Sequence, residues 1–183
     1  MSGPKSQSLT VKANGGALRE LKTECSIAEA FDPSNTPNPP QGQKFLALWD
    51  TGASGSVICQ DVVDALGLVA TGQVKVHGVT GEHLSPTFLV NIMLPNGVHF
   101  PGLTVTLGKF HGFHMLVGMD IITEGDFSIT NKDGSTVFSF RCPSMHHIDY
   151  VAQHRADAAS ESRVADMLKR SAKPGRTHGT KRR

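Results

Sequence analysis

The chain has 183 residues, of which 38 % are hydrophobic, and a formal net charge of +2. That suits one modest core with tails rather than several domains. The charge is unevenly placed: residues 1–143 hold 9 Lys and Arg against 12 Asp and Glu, whereas residues 144–183 hold 9 against 4. The basic character therefore belongs to the tail and does not describe the fold. Cys25, Cys59 and Cys142 are odd in number and widely spaced, which excludes a disulfide framework and suits reduced thiols. Met1–Ala17 lacks an apolar segment of signal-peptide length. The longest unbroken apolar run, Phe45–Trp49, is too short to span a bilayer. A soluble, cytoplasmic chain with no membrane partner is expected, either by itself or as part of a larger precursor.

Residues 1–22 read as an N-terminal arm with a short strand at Leu9–Lys12. Glu24–Phe31 has strand character, with Cys25, Ile27 and Phe31 at even spacing. Asp32–Gln43 holds four prolines and is expected to be a long exposed connection. Phe45–Trp49 is nearly continuously apolar and predicts a strand buried on both faces. A second strand follows at Ser56–Cys59, then a short helix over Gln60–Leu68, with Val62, Val63 and Leu66 at helical spacing.

From Gln73 to Leu107 the pattern changes to strands and tight turns. Val74 and Val76 run into a glycine-bearing tip, His77–Glu82, and Leu84–Leu94 returns. Pro95-Asn96-Gly97 signals a hairpin whose Asn-Gly pair suits positive φ at both central residues. Leu103, Val105 and Leu107 alternate with threonines, as a half-buried strand does. Lys109–His114 reads as a polar loop, Met115–Val117 as a short strand and Met119–Glu124 as one or two helical turns. Phe127–Thr130 and Ser135–Arg141 flank a second hairpin turn. The core is expected over residues 23–143. Residues 144–183 form a polar helical stretch with a weak apolar stripe at Ile148, Val151, Val164 and Met167–Leu168, then a disordered basic tail from Lys173.

The chemistry concentrates at Asp50, in the small-residue loop Asp50-Thr51-Gly52-Ala53-Ser54-Gly55 between two apolar strands. A carboxylate at the end of a buried strand is costly unless partnered. Asp50 is thus either a turn residue capping backbone donors or a working acid on a rigid support. Asp120 is a second carboxylate of interest, as an in-chain partner for Asp50 or as a residue meeting free backbone donors at a helix start. His111, His114, His146 and His147 lack a zinc-like spacing with cysteine, although Cys142 stands near the last pair, so no metal is expected. The tail has no aromatic residue for base stacking, and a solvated tail is expected ahead of a nucleic-acid-binding one.

The order strand, Asp-Thr-Gly-Ala, strand, short helix, glycine-bearing hairpin, then Leu116-Val117-Gly118 before a helix resembles the retropepsin-like aspartic proteases. The runs Leu66-Gly67-Leu68 and Leu116–Ile122 resemble the bacterial and retroelement members especially. The resemblance implies an all-β, half-barrel fold with one or two short helices, active as a homodimer. It implies an aspartic endopeptidase that needs no cofactor and binds an extended peptide or protein substrate. Asp50 is then the catalytic acid and one half of a carboxylate pair. Thr51, Gly52, Ala53 and Gly118 support the loop: Thr51 by bonding across the dimer, Gly118 by packing behind it. His77, Gly78, Val79, Thr80 and Gly81 form a flap over the substrate. The alternative is a retropepsin-fold dimerisation or peptide-binding module without turnover. One departure stands out. Many retroviral members pair an acidic residue two after the motif glycine with an arginine after the apolar-apolar-glycine triplet. Here those positions are Ser54 and Met119.

Overall fold

The computed structural model describes residues 6–32, 34–78 and 81–171. The chain divides into two units, Met1–Met145 and His146–Arg183.

Among the described residues of the first unit ten strands form two sheets. A seven-stranded sheet is ordered β2-β3-β8-β4-β7-β6-β5, from β2 (Lys22–Glu29), β3 (Gln43–Trp49), β4 (Val57–Ile58), β5 (Gly72–Gly78), β6 (Gly81–Met93), β7 (His99–Leu107) and β8 (Met115–Val117). The far half of β6 also pairs with β2, Ser26 opposite Met93 and Glu29 opposite Val90. That extra pairing closes six of the strands on themselves and leaves β5 as a projecting ribbon on the first half of β6. Closure removes sheet edges and encloses a core. Ile27, Ile58, Ile92, Val105 and Val117 are fully buried in it. The helix α1 (Gln60–Leu66) buries Val62 and Val63, and α2 (Met119–Ile122) buries Ile121 and Ile122.

The second sheet, ordered β1-β10-β9, contains β1 (Gln7–Lys12), β9 (Asp126–Thr130) and β10 (Val137–Cys142). The segment read as an arm is thus held along Gln7–Lys12, where six residues pair antiparallel with β10. Its apolar residues explain this: Leu9 and Val11 pack against the core that Phe138 and Phe140 enter. Trp49 joins the two sheets. Its ring centroid lies 5.1 Å from that of Phe138, 5.0 Å from Phe140 and 5.8 Å from Phe127, and its Nε1 donates to Thr23 Oγ1 at 2.9 Å. Buried indole nitrogens need such a partner.

Two local expectations are corrected. β3 is not buried on both faces: Ala47 and Trp49 are, while Phe45, Leu46 and Leu48 are only half-buried. Leu48 lines a cavity that opens on its side of the strand. The Pro95-Asn96-Gly97 turn has positive φ only at Gly97, at 81°. Pro95 holds the first turn position at negative φ, Gly97 N–H donates to the Leu94 carbonyl at 2.9 Å, and Leu94 N–H bonds Val98 at 2.9 Å. This is a type I turn followed by a left-handed glycine, the usual three-residue hairpin, and a proline at that place selects it.

Cys25 illustrates how tightly the barrel is filled. Its thiol lies 3.9 Å from Met115 Sδ and 3.7 Å from the Phe45 carbonyl. Burial first, and Glu24 second, push it up from 9.0 to about 12. A raised folded-state value means that its contribution to stability is complete below 9.0 and is lost as pH rises towards about 12. Stability measured by urea unfolding should therefore fall across that window by about 1.4 kcal/mol per pH unit on account of this thiol. The Cys25→Ala variant should lose that share of the slope. Parallel curves for parent and variant would show that the thiol is not held protonated.

In the second unit, α3 (Tyr150–Ser171) starts at Asp149, whose Oδ1 accepts the Val151 and Ala152 N–H groups at 2.9 and 3.0 Å. This is an N-cap satisfying two of the otherwise unpaired first-turn donors. Val151, Val164, Met167 and Leu168, the weak stripe of the sequence, are exposed. The stretch from Lys173 lies outside the described residues. No helix among the described residues is long and apolar enough to cross a membrane.

Candidate active site

The topology explains why the Asp50 loop exists. β8 lies between β3 and β4, parallel to the first and antiparallel to the second. The chain leaving β3 must therefore step over the end of β8 to reach β4. That step is Asp50–Ser56, and it lies directly on the junction between β8 and α2. Asp50 N–H donates to the Val117 carbonyl at 3.0 Å, and Met119 N–H donates to the Ala53 carbonyl at 2.8 Å. Gly118 is at the crossing. A Cβ built there would sit 2.6 Å from the carbonyl carbon and oxygen of Gly55 and 3.0 Å from the Ala53 carbonyl oxygen. Only hydrogen fits between two backbones at this distance.

Asp50 is half-buried, and Thr51 and Gly52 are exposed. The Asp50 carboxylate receives Gly52 N–H on Oδ1 at 2.8 Å. Ala53 N–H closes the turn onto the Asp50 carbonyl at 3.3 Å. The Thr51 hydroxyl has no partner among the described residues. Asp50, Thr51, Gly52, Ala53 and Gly118, separated by more than sixty residues in the chain, are thus one local structure. A cavity of about 420 Å³ opens beside Asp50 and Thr51, walled by Leu18, Leu48, Phe127 and Ile129.

In the β5–β6 hairpin His77 lies opposite Glu82 and Gly78 opposite Gly81. Lys75 pairs with Glu82 across it. Val79 and Thr80 lie outside the described residues. A cavity of about 580 Å³ runs between this hairpin and the β4–β7 pair, with Val57, Val76, Leu84 and Leu107 as its apolar walls and Lys109 among its lining residues.

Asp120 does meet a backbone donor at a helix start, Ile121 N–H at 3.0 Å. Its larger engagement was not legible from sequence. Oδ2 accepts Ser56 N–H at 2.8 Å and Oδ1 accepts the Ser56 hydroxyl at 2.8 Å. The Ser56 oxygen in turn accepts Gly118 N–H at 3.1 Å. The one available signal was a serine opening an otherwise apolar strand. At the positions where the retroviral ion pair would stand, Ser54 is exposed and Met119 packs against the core. Among the described residues no three metal-ligating side chains cluster. His114 has a structural use: its Nδ1 accepts Leu46 N–H at 3.3 Å.

Residues 41–121 match the family model described as aspartyl protease. That segment contains β3, the Asp50 loop, β4, α1, the hairpin, β8 and the start of α2. Over that segment the chain is similar to the aspartyl protease family. Among solved structures it is similar to a retropepsin-like aspartic protease from Rickettsia conorii, at 12 % identity and TM-score 0.45, over 78 % of this chain and 98 % of that one. It is also similar to the EIAV protease complexed with the inhibitor HBY-793, at 21 % identity and TM-score 0.42, over 57 % and 86 %. A third is the simian foamy virus (mac) protease, at 14 % and 0.37, over 55 % and 89 %. No curated protein matches the chain at a significant level.

Proposed function

We propose that this protein is a homodimeric aspartic endopeptidase whose single site is built from two copies of Asp50-Thr51-Gly52. The observation that carries this is the Asp50 loop itself. It presents one half-buried carboxylate at an open surface, held by backbone bonds to Val117, Gly52 and Ala53 in the segment that matches the aspartyl protease model. One carboxylate is half of the required chemistry. A two-fold axis beside the loop brings it against its copy. Two carboxylates in contact share a proton and titrate as a pair. The ionised member takes a proton from a held water, the water attacks the peptide carbonyl, and the protonated member donates to the developing charge.

Thr51, exposed and without a partner among the described residues, is suited to bond across the dimer. Gly52 and Ala53 keep the floor low enough for an extended peptide, which would add strand-like hydrogen bonds. His77, Gly78, Val79, Thr80 and Gly81 form the flap, and its closure excludes water from the site. The reaction as written uses no cofactor, and no nucleic acid enters it. Residues 1–22, 23–143 and 144–183 act as arm, protease domain and tail, in a soluble, cytoplasmic setting.

The test is incubation of the full chain with a mixed peptide library between about pH 4 and pH 7, the range over which a carboxylate pair passes between its protonation states. Cleavage blocked by a statine-type peptide is the expected result, with a dimer in sedimentation. Peptide binding without cleavage at any pH would move the protein to the class of non-catalytic peptide-binding modules. Cleavage by a strict monomer would end the paired-carboxylate mechanism.

A further inference from the structure

We propose that Asp120 and Ser56 are positioning residues for the Asp50 loop, replacing with an intrachain lock the ion pair that this sequence lacks. The catalytic part of the claim rests on the reading of Asp50 given above. The lock itself rests on geometry alone. Ser56 is 1 % exposed, so whatever its hydroxyl and amide bond to must be supplied by the protein. Asp120 supplies it twice, taking the Ser56 amide on one oxygen and the Ser56 hydroxyl on the other, each at 2.8 Å. The same hydroxyl oxygen accepts Gly118 N–H at 3.1 Å. One serine is thus donor to α2 and acceptor from the end of β8, at the last residue of the loop.

The first residues of the loop are fastened to the same strand end, Asp50 N–H on Val117 and Ala53 C=O on Met119 N–H. The loop is therefore tied at both ends to one short segment, Val117–Asp120. Backbone bonds alone secure the Asp50 end. Side chains secure the Ser56 end. The residue types follow from the donor count. Position 56 needs a hydroxyl, because it both donates and accepts. Position 120 needs two acceptor oxygens, which a carboxylate has and an amide lacks. Asp120 also engages its own helix through Ile121 N–H, so the carboxylate cannot swing away without losing three bonds.

The network acts on Asp50 without touching it. Without Asp120 the Ser56 backbone keeps only its bond to Thr106, Gly55 loosens against Gly118, and the carboxylate pair loses a defined separation. In a reaction that depends on two carboxylates in contact, small misplacement lowers turnover more than substrate affinity.

The test uses the full chain and the variants Asp120→Ala, Asp120→Asn, Ser56→Ala and the Asp120→Ala/Ser56→Ala double. Amide hydrogen exchange is read first, because it does not require activity. In Asp120→Ala the amides of Gly52, Ala53 and Ser56 should exchange about 10- to 100-fold faster, while those of Ile92 and Val105 in the barrel keep their parent rates. Unchanged exchange in the loop would overturn the lock whatever the kinetics show. Acceleration of Ile92 and Val105 to the same degree would overturn it too, since that is general loosening.

Peptide hydrolysis is read second. A fall in kcat of about 10- to 100-fold with KM within about threefold, and a displaced pH profile, is expected for Asp120→Ala. Asp120→Asn, which keeps one acceptor oxygen, should fall between parent and alanine. The double variant should cost little more than either single one, because the two side chains form one unit. Parent-like kcat and pH profile in Asp120→Ala would overturn the positioning role. If the parent cleaves no peptide, the protease reading falls, and the exchange experiment alone decides whether the lock exists.

Discussion

Asp50→Asn abolishes peptide hydrolysis, lowering kcat/KM by about 10³-fold or more, and leaves the fold and the dimer in place. The amide keeps an oxygen able to accept the Gly52 N–H that Asp50 Oδ1 now holds at 2.8 Å. Stability should therefore change by less than about 1 kcal/mol. What the variant cannot do is ionise, so no group remains in that half-site to take the proton of the attacking water. The assembly makes a sharper measurement possible. When equal amounts of parent and Asp50→Asn chains are mixed and allowed to exchange, about a quarter of the dimers carry two carboxylates, by random pairing of identical interfaces. Activity per parent chain should then halve. A site complete within one chain would keep full activity per parent chain in that mixture, and this result would sink the shared-site mechanism while leaving Asp50 essential.

Gly118→Val is the second substitution with a large expected effect. A side chain at this position has to push apart the end of β8 and the backbone of Gly55, whose carbonyl atoms lie 2.6 Å from the place a Cβ would take. Neither side can give way cheaply. Gly118 is bonded to Ser56 through its amide, and the loop is bonded to Val117 and Met119 on either side of it. Overpacking of this kind costs about 3 kcal/mol. For a chain of this size that is roughly 6–12 °C in Tm. A shift of the urea midpoint at constant m-value is the expected reading. The variant that remains folded should also lose activity, because the displaced loop is the one that carries Asp50. Gly118→Ala should do the same in smaller measure. A Val variant as stable as the parent would show that the two backbones do not approach as described.

Much of the barrel could be read directly from the chain. The alternation of Leu103, Val105 and Leu107, the helical spacing of Val62, Val63 and Leu66, and the glycines at the β5–β6 tip all report local geometry, and the elements formed where those patterns lie. Two features turn on distant segments and one on an adjacent residue. Phe45–Trp49 looks like a strand buried on both faces because all five residues are apolar, but the cover on the Leu48 side has to come from distant segments, and it is incomplete. Leu9–Lys12 reads correctly as a short strand, but nothing nearby pairs with it; its partner, β10, begins more than a hundred residues later. At Pro95-Asn96-Gly97 the Asn-Gly pair alone favours positive φ at both central residues, and the proline before it sets the turn type instead.

The candidate site divides in the same way. Asp50-Thr51-Gly52-Ala53 stands out locally, because a charged residue in an apolar, small-residue setting violates the pattern around it. Asp120 and Ser56 do not stand out, since a serine before a strand and an aspartate at a helix start are ordinary residues in ordinary places.

By itself the sequence determined which segments would be strands, where the hairpins turn, and that one carboxylate sits at the mouth of an apolar strand. These depend on side-chain period and turn chemistry over a few residues. Only the tertiary structure decided that β8 is inserted between β3 and β4, so that the Asp50 loop has to cross it at Gly118 and is fastened there by Asp120. That choice depends on pairing between segments some sixty residues apart. It is made by the closure of the barrel around its core, and no local pattern in the chain encodes it.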